Sequence, residues 1–221
     1  GAGKVFLVLG GLFDDVDFAL TWHPDTKNCV LALPQLAIQG LRFYFTGKSA
    51  HAAGSPELGR SALDACELMN VGVNYLREHV PQEARMHYAY LDVGGEAPNV
   101  VQSHACLKYF IRAPKMETML DISKRVQNIA RGAAMMTDTE VRIEIEFGMC
   151  DYMGNDALNR VMGKVLEEVG GPQFDDEDRK LAAQFKALYN DIQMHNDYDD
   201  LQKYLSADDD MNSYVDGPLF E

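Results

Sequence analysis

Four residues have types and surroundings that could carry chemistry: His23 in "LTWHPD", His51 in "GKSAHAAGSPELG", Asn99 in "GGEAPNVV" and Arg112 in "KYFIRAP". His51 sits in a turn of Gly, Ser and Ala, residues that give an imidazole little to pack against. Its ring N–H could stabilise a developing oxyanion; the plain alternative is an exposed loop histidine. An arginine at a strand margin and an asparagine amide can together grip a carboxylate, through bidentate charge-assisted bonds plus a neutral donor. Taken singly, Arg112 reads as a surface ion pair and Asn99 as a turn residue after Pro98. His23 ends the strand-like "FALTWH", and strand ends are where open α/β sheets place ligands. It is either a metal ligand or a hydrogen-bonded strand-end histidine, and one His does not make a zinc site, which needs three or four ligands. Of the other histidines, His79 suits a helix C-terminus, His87 and His104 read as sheet-face residues, and His195 lies in a polar tail. "GAGK" lacks the spacing of a phosphate loop.

The elements that position these residues follow from periodicity. "KVFLVLGG" (4–11) and "NCVLAL" (28–33) read as short buried strands. "LAIQGLRFYFTGK" (36–48) alternates, with Leu41, Phe43 and Phe45 on one face. A helix is predicted over 55–80, with Ser55 as cap and Pro56 in its first turn. Strands follow at 85–93 and 104–113, a second helix at 115–136 and a strictly alternating strand at 140–147. The order from 36 to 147 is β-α-β-β-α-β, the ferredoxin-like split unit: four antiparallel strands with both helices on one face. Two amphipathic helices are expected at 155–171, capped by Asn155 or Asp156, and at 176–192. The fold class is therefore α/β with an α+β insert. Residues 36–150 form the inserted domain, and 1–35 with 151–221 form parts of a second one.

The 221 residues carry a formal net charge of −14, which disfavours nucleic acid or an anionic membrane surface as a general partner. No apolar run approaches the roughly 20 residues of a membrane span. Four widely spaced cysteines without a CxxC pair read as reduced thiols of a cytoplasmic protein. The glycine-rich start, running straight into an apolar stretch, reads as a chain joined part-way through.

In their order and spacing, "LTWHP", "GKSAHAAGSPELGRSALDA", "GGEAPNVV" and "KYFIRAP" resemble the zinc-dependent amidohydrolase and carboxypeptidase family, which includes aminoacylases and glutamate-releasing carboxypeptidases. The resemblance covers roughly residues 1–150. It implies a catalytic domain with an inserted lid that forms a homodimer, and a divalent metal, zinc first. His23 would match a metal ligand, and His51 the lid histidine that polarises the scissile carbonyl in the partner's site. Asn99 and Arg112 would match the pair that binds the substrate carboxylate. The substrate implied is a small N-acyl amino acid with a free carboxylate, an aminobenzoyl-glutamate-like conjugate. The family's His-Asp-Gly-His-type motif, its paired glutamates and its late metal-binding histidine are absent from this chain. A metal hydrolase needs several ligands and a base, so the chain by itself is expected to be inactive. The alternative is a non-catalytic dimerisation or binding module on the same scaffold.

Overall fold

The computed structural model describes residues 3–22, 28–30, 35–187 and 204–205. In chain order the first elements are α1 (Gly3–Leu9), β1 (Asn28–Cys29), β2 (Ala37–Thr46), α2 (Ala62–Leu76) and β3 (Arg85–Asp92). Then come β4 (His104–Ala113), α3 (Met116–Thr137), β5 (Glu140–Met149), α4 (Asp156–Val169), α5 (Asp176–Ala187) and β6 (Tyr204–Leu205). The chain divides into two compact units, Gly1–Asp14 with Pro34–Tyr152, and Asp15–Leu33 with Met153–Glu221.

The first unit is built on an antiparallel sheet of order β3-β4-β2-β5. Counted by the sheet's own strands this is 2-3-1-4, the ferredoxin-like order expected from the β-α-β-β-α-β pattern. Alternation decides what each face does. Leu41, Phe43 and Phe45 of β2 and Leu107, Tyr109 and Ile111 of β4 are all buried beneath the helices. Cys66, Met69 and Val73 of α2 and Ile122, Val126 and Ala130 of α3 close over them. Burial pushes the Cys66 thiol up to about 12, so it behaves as a small apolar side chain. One polar chain runs through this core: Tyr109 Oη donates to Asn70 Oδ1 at 2.5 Å, and Asn70 Nδ2 donates to Tyr90 Oη at 3.1 Å. Tyr90 in turn donates to Glu67, so the buried amide is satisfied on both sides. The helices cross closely at Gly72, where a Cβ would meet Ile129 Cγ2 at 2.6 Å.

The opposite face carries charge. Arg42 Nη2 and Lys108 Nζ hold the Glu146 carboxylate at 2.6 and 2.8 Å. Arg142 pairs with Glu144 at 3.0 Å and lies 3.9 Å from the Tyr44 ring centroid. Hydrogen bonds from Arg42 first, then from Lys108, hold the Glu146 carboxyl at about 2, against an ordinary 4.5. A depressed carboxyl stabilises the fold in full above its unfolded value and loses that contribution as pH falls towards the folded one. Urea midpoints of the wild type are therefore expected to fall more steeply between pH 4.5 and 2 than those of Glu146→Gln. Parallel profiles would show that this ion pair does not couple folding to acid.

Three local expectations are corrected. The helix after the His51 loop does not start at Ser55, whose side chain caps nothing; Pro56–Leu58 form one 3₁₀ turn. Gly59 then extends, and Arg60 exchanges two 2.8 Å backbone bonds with Lys48. The helix restarts at Ala62 under Ser61, whose Oγ accepts from Asp64 N at 3.1 Å. The run "KVFLVLGG" forms α1 rather than a buried strand, and none of its residues is buried. A strand needs a neighbouring edge, and a short apolar run by itself specifies neither state. No strand forms over 18–22, and of the predicted 28–33 strand β1 takes only Asn28–Cys29, paired in parallel with β6; 31–33 lie outside the described residues. In the second unit, Asn155 Oδ1 caps α4 by accepting from Leu158 N at 3.0 Å, and Asp175 Oδ1 accepts from Glu177 N and Asp178 N at the start of α5. The α3 start is capped from a distance: Lys115 at its N-cap position has no acceptor, and Asp151 Oδ1 accepts from Met116 N at 3.0 Å.

Candidate functional site at the His51 loop

The loop between β2 and α2 is held by backbone bonds to the segment before β4. Gly47 N donates to Ser103 O at 2.8 Å, Val101 N to Ala50 O at 3.0 Å and Ala52 N to Asn99 O at 2.9 Å. His51 itself stands opposite Val100 in an isolated antiparallel bridge. At Gly47 a Cβ would lie 2.0 Å from Arg60 O, so only glycine lets the loop's two arms approach. Arg60 closes the base of the loop, since its Nε donates to Asp138 Oδ2 at 2.7 Å, at the left-handed residue that ends α3.

This frame sets the state of the imidazole. His51 Nδ1 accepts from Gly54 N at 2.9 Å and from Ala53 N at 3.2 Å. A ring nitrogen that accepts cannot carry the proton, so the neutral ring carries it on Nε2. The residue is exposed, and Nε2–H makes no hydrogen bond among the described residues. Asn99 is exposed on the adjoining segment, and its side-chain amide makes no hydrogen bond among the described residues. The segment is fixed at its far end by Asp92, whose Oδ1 accepts from Gly94 N at 2.9 Å and whose Oδ2 lies 3.2 Å from His104 Nε2.

The fold thus brings His51 and Asn99 together but sets Arg112 apart. Arg112 pairs with Ile38 and Arg85 at one end of β4, while His104 pairs with Thr46 at the other, beside the His51 loop. Those eight steps correspond to roughly 27 Å of strand. Arg112 is half-buried, and its Nε is enclosed without an acceptor. His23 lies outside the described residues. Among the described residues no three His, Cys, Asp or Glu side chains converge on a point that would hold a metal ion. The Arg85 and His87 neighbourhood of Arg112 was invisible in the sequence, because it depends on the β3–β4 register; alternation alone puts Arg85 and His87 on one face of their strand.

Residues 37–135 match the peptidase dimerisation domain. The chain is 45% identical over 187 residues to a subunit of the p-aminobenzoyl-glutamate hydrolase of Escherichia coli, a match covering 85% of the chain and 39% of that protein. It is 33% identical over 184 residues to the Xaa-Arg dipeptidase of Mus musculus, covering 82% and 42%. The chain thus spans about two fifths of the length of these relatives, whose names are those of hydrolases. In fold it resembles the crystal structure of an aminobenzoyl-glutamate utilization protein from Klebsiella pneumoniae, with a TM-score of 0.54 at 24% identity over 71% of this chain and 42% of that one. The matched stretch begins at Ala37, the first residue of β2, and contains His51, Arg85, Asn99 and Arg112.

Proposed function

We propose that this chain supplies the lid and dimer-forming part of a metal-dependent amidohydrolase that cleaves N-acyl amino acids with a free carboxylate. On the names of its relatives, a glutamate conjugate of the aminobenzoyl type comes first. In this reading residues 36–150 are inserted between 1–35 and 151–221, which belong to the catalytic domain. The observation that carries it is the exposed His51 imidazole, whose Nδ1 accepts from two backbone donors and so leaves the proton on Nε2 as a free donor. Such a donor is suited to the oxyanion formed when an amide carbonyl is attacked, because it needs no reorganisation during the reaction.

The carboxylate of the substrate is assigned to Asn99 and Arg112. Because they sit at opposite ends of β4, one carboxylate meets both only if two chains contribute. That argues for a homodimer in which His51 and Asn99 of one chain and Arg112 of the other face the same substrate. His23 is the ligand this chain would offer a divalent metal, zinc first, and the other ligands and the general base must come from elsewhere. No helix among the described residues is long and apolar enough to cross a membrane. Cys66, Cys106 and Cys150 are thiols, which suits a cytoplasmic setting.

The test is hydrolysis of p-aminobenzoyl-glutamate by the complete gene product, with and without a chelator, beside the 221-residue chain alone. Chelator-sensitive turnover by the gene product and none by the chain is expected. A gene product that dimerises yet hydrolyses no acyl amino acid would favour the non-catalytic module, and turnover by the chain alone would overturn the division of labour.

A further inference from the structure

The open face of the sheet is not uniformly neutralised. Towards β5 its cations are matched: Arg42 and Lys108 by Glu146, and Arg142 by Glu144. Towards β3 they are not. Among the described residues neither Arg85 nor Arg112 makes an ion pair. Yet the two stand directly opposite each other in the β3–β4 register, on the same face. Like charges so placed are destabilising, and an enclosed guanidinium donor without an acceptor, as at Arg112 Nε, is a further cost to the fold.

The neighbours deepen this arrangement. His87, two residues beyond Arg85 on the same face, is opposite Phe110. Burial first, and then Arg112, Arg77 and Arg85, hold its imidazole below the ordinary 6.5, so all three guanidinium groups are felt at one point. Arg85 is not a free-swinging side chain. Its Nη1 donates to Gln82 O and, at 2.9 Å, to Ala84 O, which fixes it at the strand start and leaves Nη2 and Nε without a hydrogen-bond acceptor among the described residues. Two arginines opposite each other across the β3–β4 pair, with no carboxylate of the described residues paired to either, suit a ligand that brings two carboxylates on one short carbon chain.

We propose that Arg85 is a specificity-determining residue, which binds the side-chain carboxylate of an acidic acyl amino acid while Arg112 takes the α-carboxylate. This rests on the reading of Arg112 as the carboxylate-binding residue, and it names what that reading leaves open: why an acidic amino acid is preferred to a neutral one. A glutamine side chain at the same place would keep the shape of the ligand but not the charge that the arginine pair lacks.

The experiment is a titration of the 221-residue chain with N-acetylglutamate and with N-acetylglutamine, followed by NMR of the arginine Nε–H signals and the β3–β4 amides. The wild type is expected to bind the glutamate about tenfold more tightly, the worth of one charge-assisted hydrogen bond. Arg85→Gln should remove that preference by weakening N-acetylglutamate alone, Arg85→Lys should retain part of it, and Arg112→Gln should weaken both ligands. The amide signals report whether each variant keeps its fold, and Arg85→Lys carries the test if Arg85→Gln does not. If the Arg85 variants leave the preference intact, or weaken both ligands alike while Arg112→Gln also weakens both, this inference falls and the carboxylate role of Arg112 stands. If Arg112→Gln weakens neither, or the wild type binds neither ligand, the reading of Arg112 falls and this inference with it.

Discussion

On the proposed function, amide hydrolysis by the complete gene product is expected to fall about 10²–10³-fold in His51→Ala, the usual loss when a positioned oxyanion donor is removed. The loop should survive the change. Its frame is made of backbone bonds, from Val101 N to Ala50 O, from Ala52 N to Asn99 O, and between Lys48 and Arg60, none of which involves the imidazole. Only the two bonds from Ala53 N and Gly54 N to Nδ1 are lost, and both groups are exposed to water. Arg112→Gln should also be nearly inactive, for want of a grip on the substrate. The decisive measurement is made on the two variants together. With Arg112 eight strand positions, roughly 27 Å, from the end of β4 that adjoins the His51 loop, a site that uses both draws them from different chains. Random pairing makes about half of the dimers mixed, and each mixed dimer keeps one intact site and loses the other. Co-expression of the two inactive variants should then restore about a quarter of wild-type activity. Absence of recovery, with mixed dimers demonstrated by mass, would show that His51 and Arg112 do not share a site across chains.

Phe43→Ala is expected to destabilise the sheet-bearing unit by about 3–5 kcal/mol, lowering Tm by roughly 10–20 °C. Phe43 is fully buried at the middle of β2, a central strand flanked by β4 and β5. Its ring meets Tyr109 edge-on at 5.7 Å between centroids. Truncation removes a large apolar surface and the edge-to-face contact together. Tyr109 is held from the other side by its bond to Asn70, which limits how far it can move into the space left. The cavity term is therefore expected in full. Urea unfolding followed by tyrosine fluorescence and by circular dichroism would measure it. A loss below about 1 kcal/mol would mean that the core collapses around the gap, contrary to the packing described.

Much of this fold was legible because its signals are local. The period-2 alternation of Leu41, Phe43 and Phe45 and the spacing of Met69, Val73 and Leu76 at three and four residues each depend only on neighbours along the chain. The order of strands and helices then leaves few ways to close a sheet, and the ferredoxin-like one is the one that forms. Capping was legible where side chain and helix are adjacent, as at Asn155. At Ser55 it was not, since what stops the helix there is a backbone bridge between Arg60 and Lys48, residues brought close only by the fold. The cap on α3 shows the same limit, for Asp151 comes from beyond β5.

For the candidate site, His51, Asn99 and Arg112 were each ordinary when taken singly, and it was their order along the chain, with the resemblance it carries, that made them candidates. Only the tertiary structure decided how they relate. Strand pairing placed Asn99 beside His51 and moved Arg112 to the far end of β4, since antiparallel register converts sequence separation into distance along a strand. The same register set Arg85 against Arg112, two residues with no visible link along the chain. The tautomer of His51 likewise followed from two backbone N–H groups converging on one ring nitrogen. Residue types are properties of the chain; register, convergence and the pairing of charges are properties of contacts between distant parts of it, and these exist only once the sheet has formed.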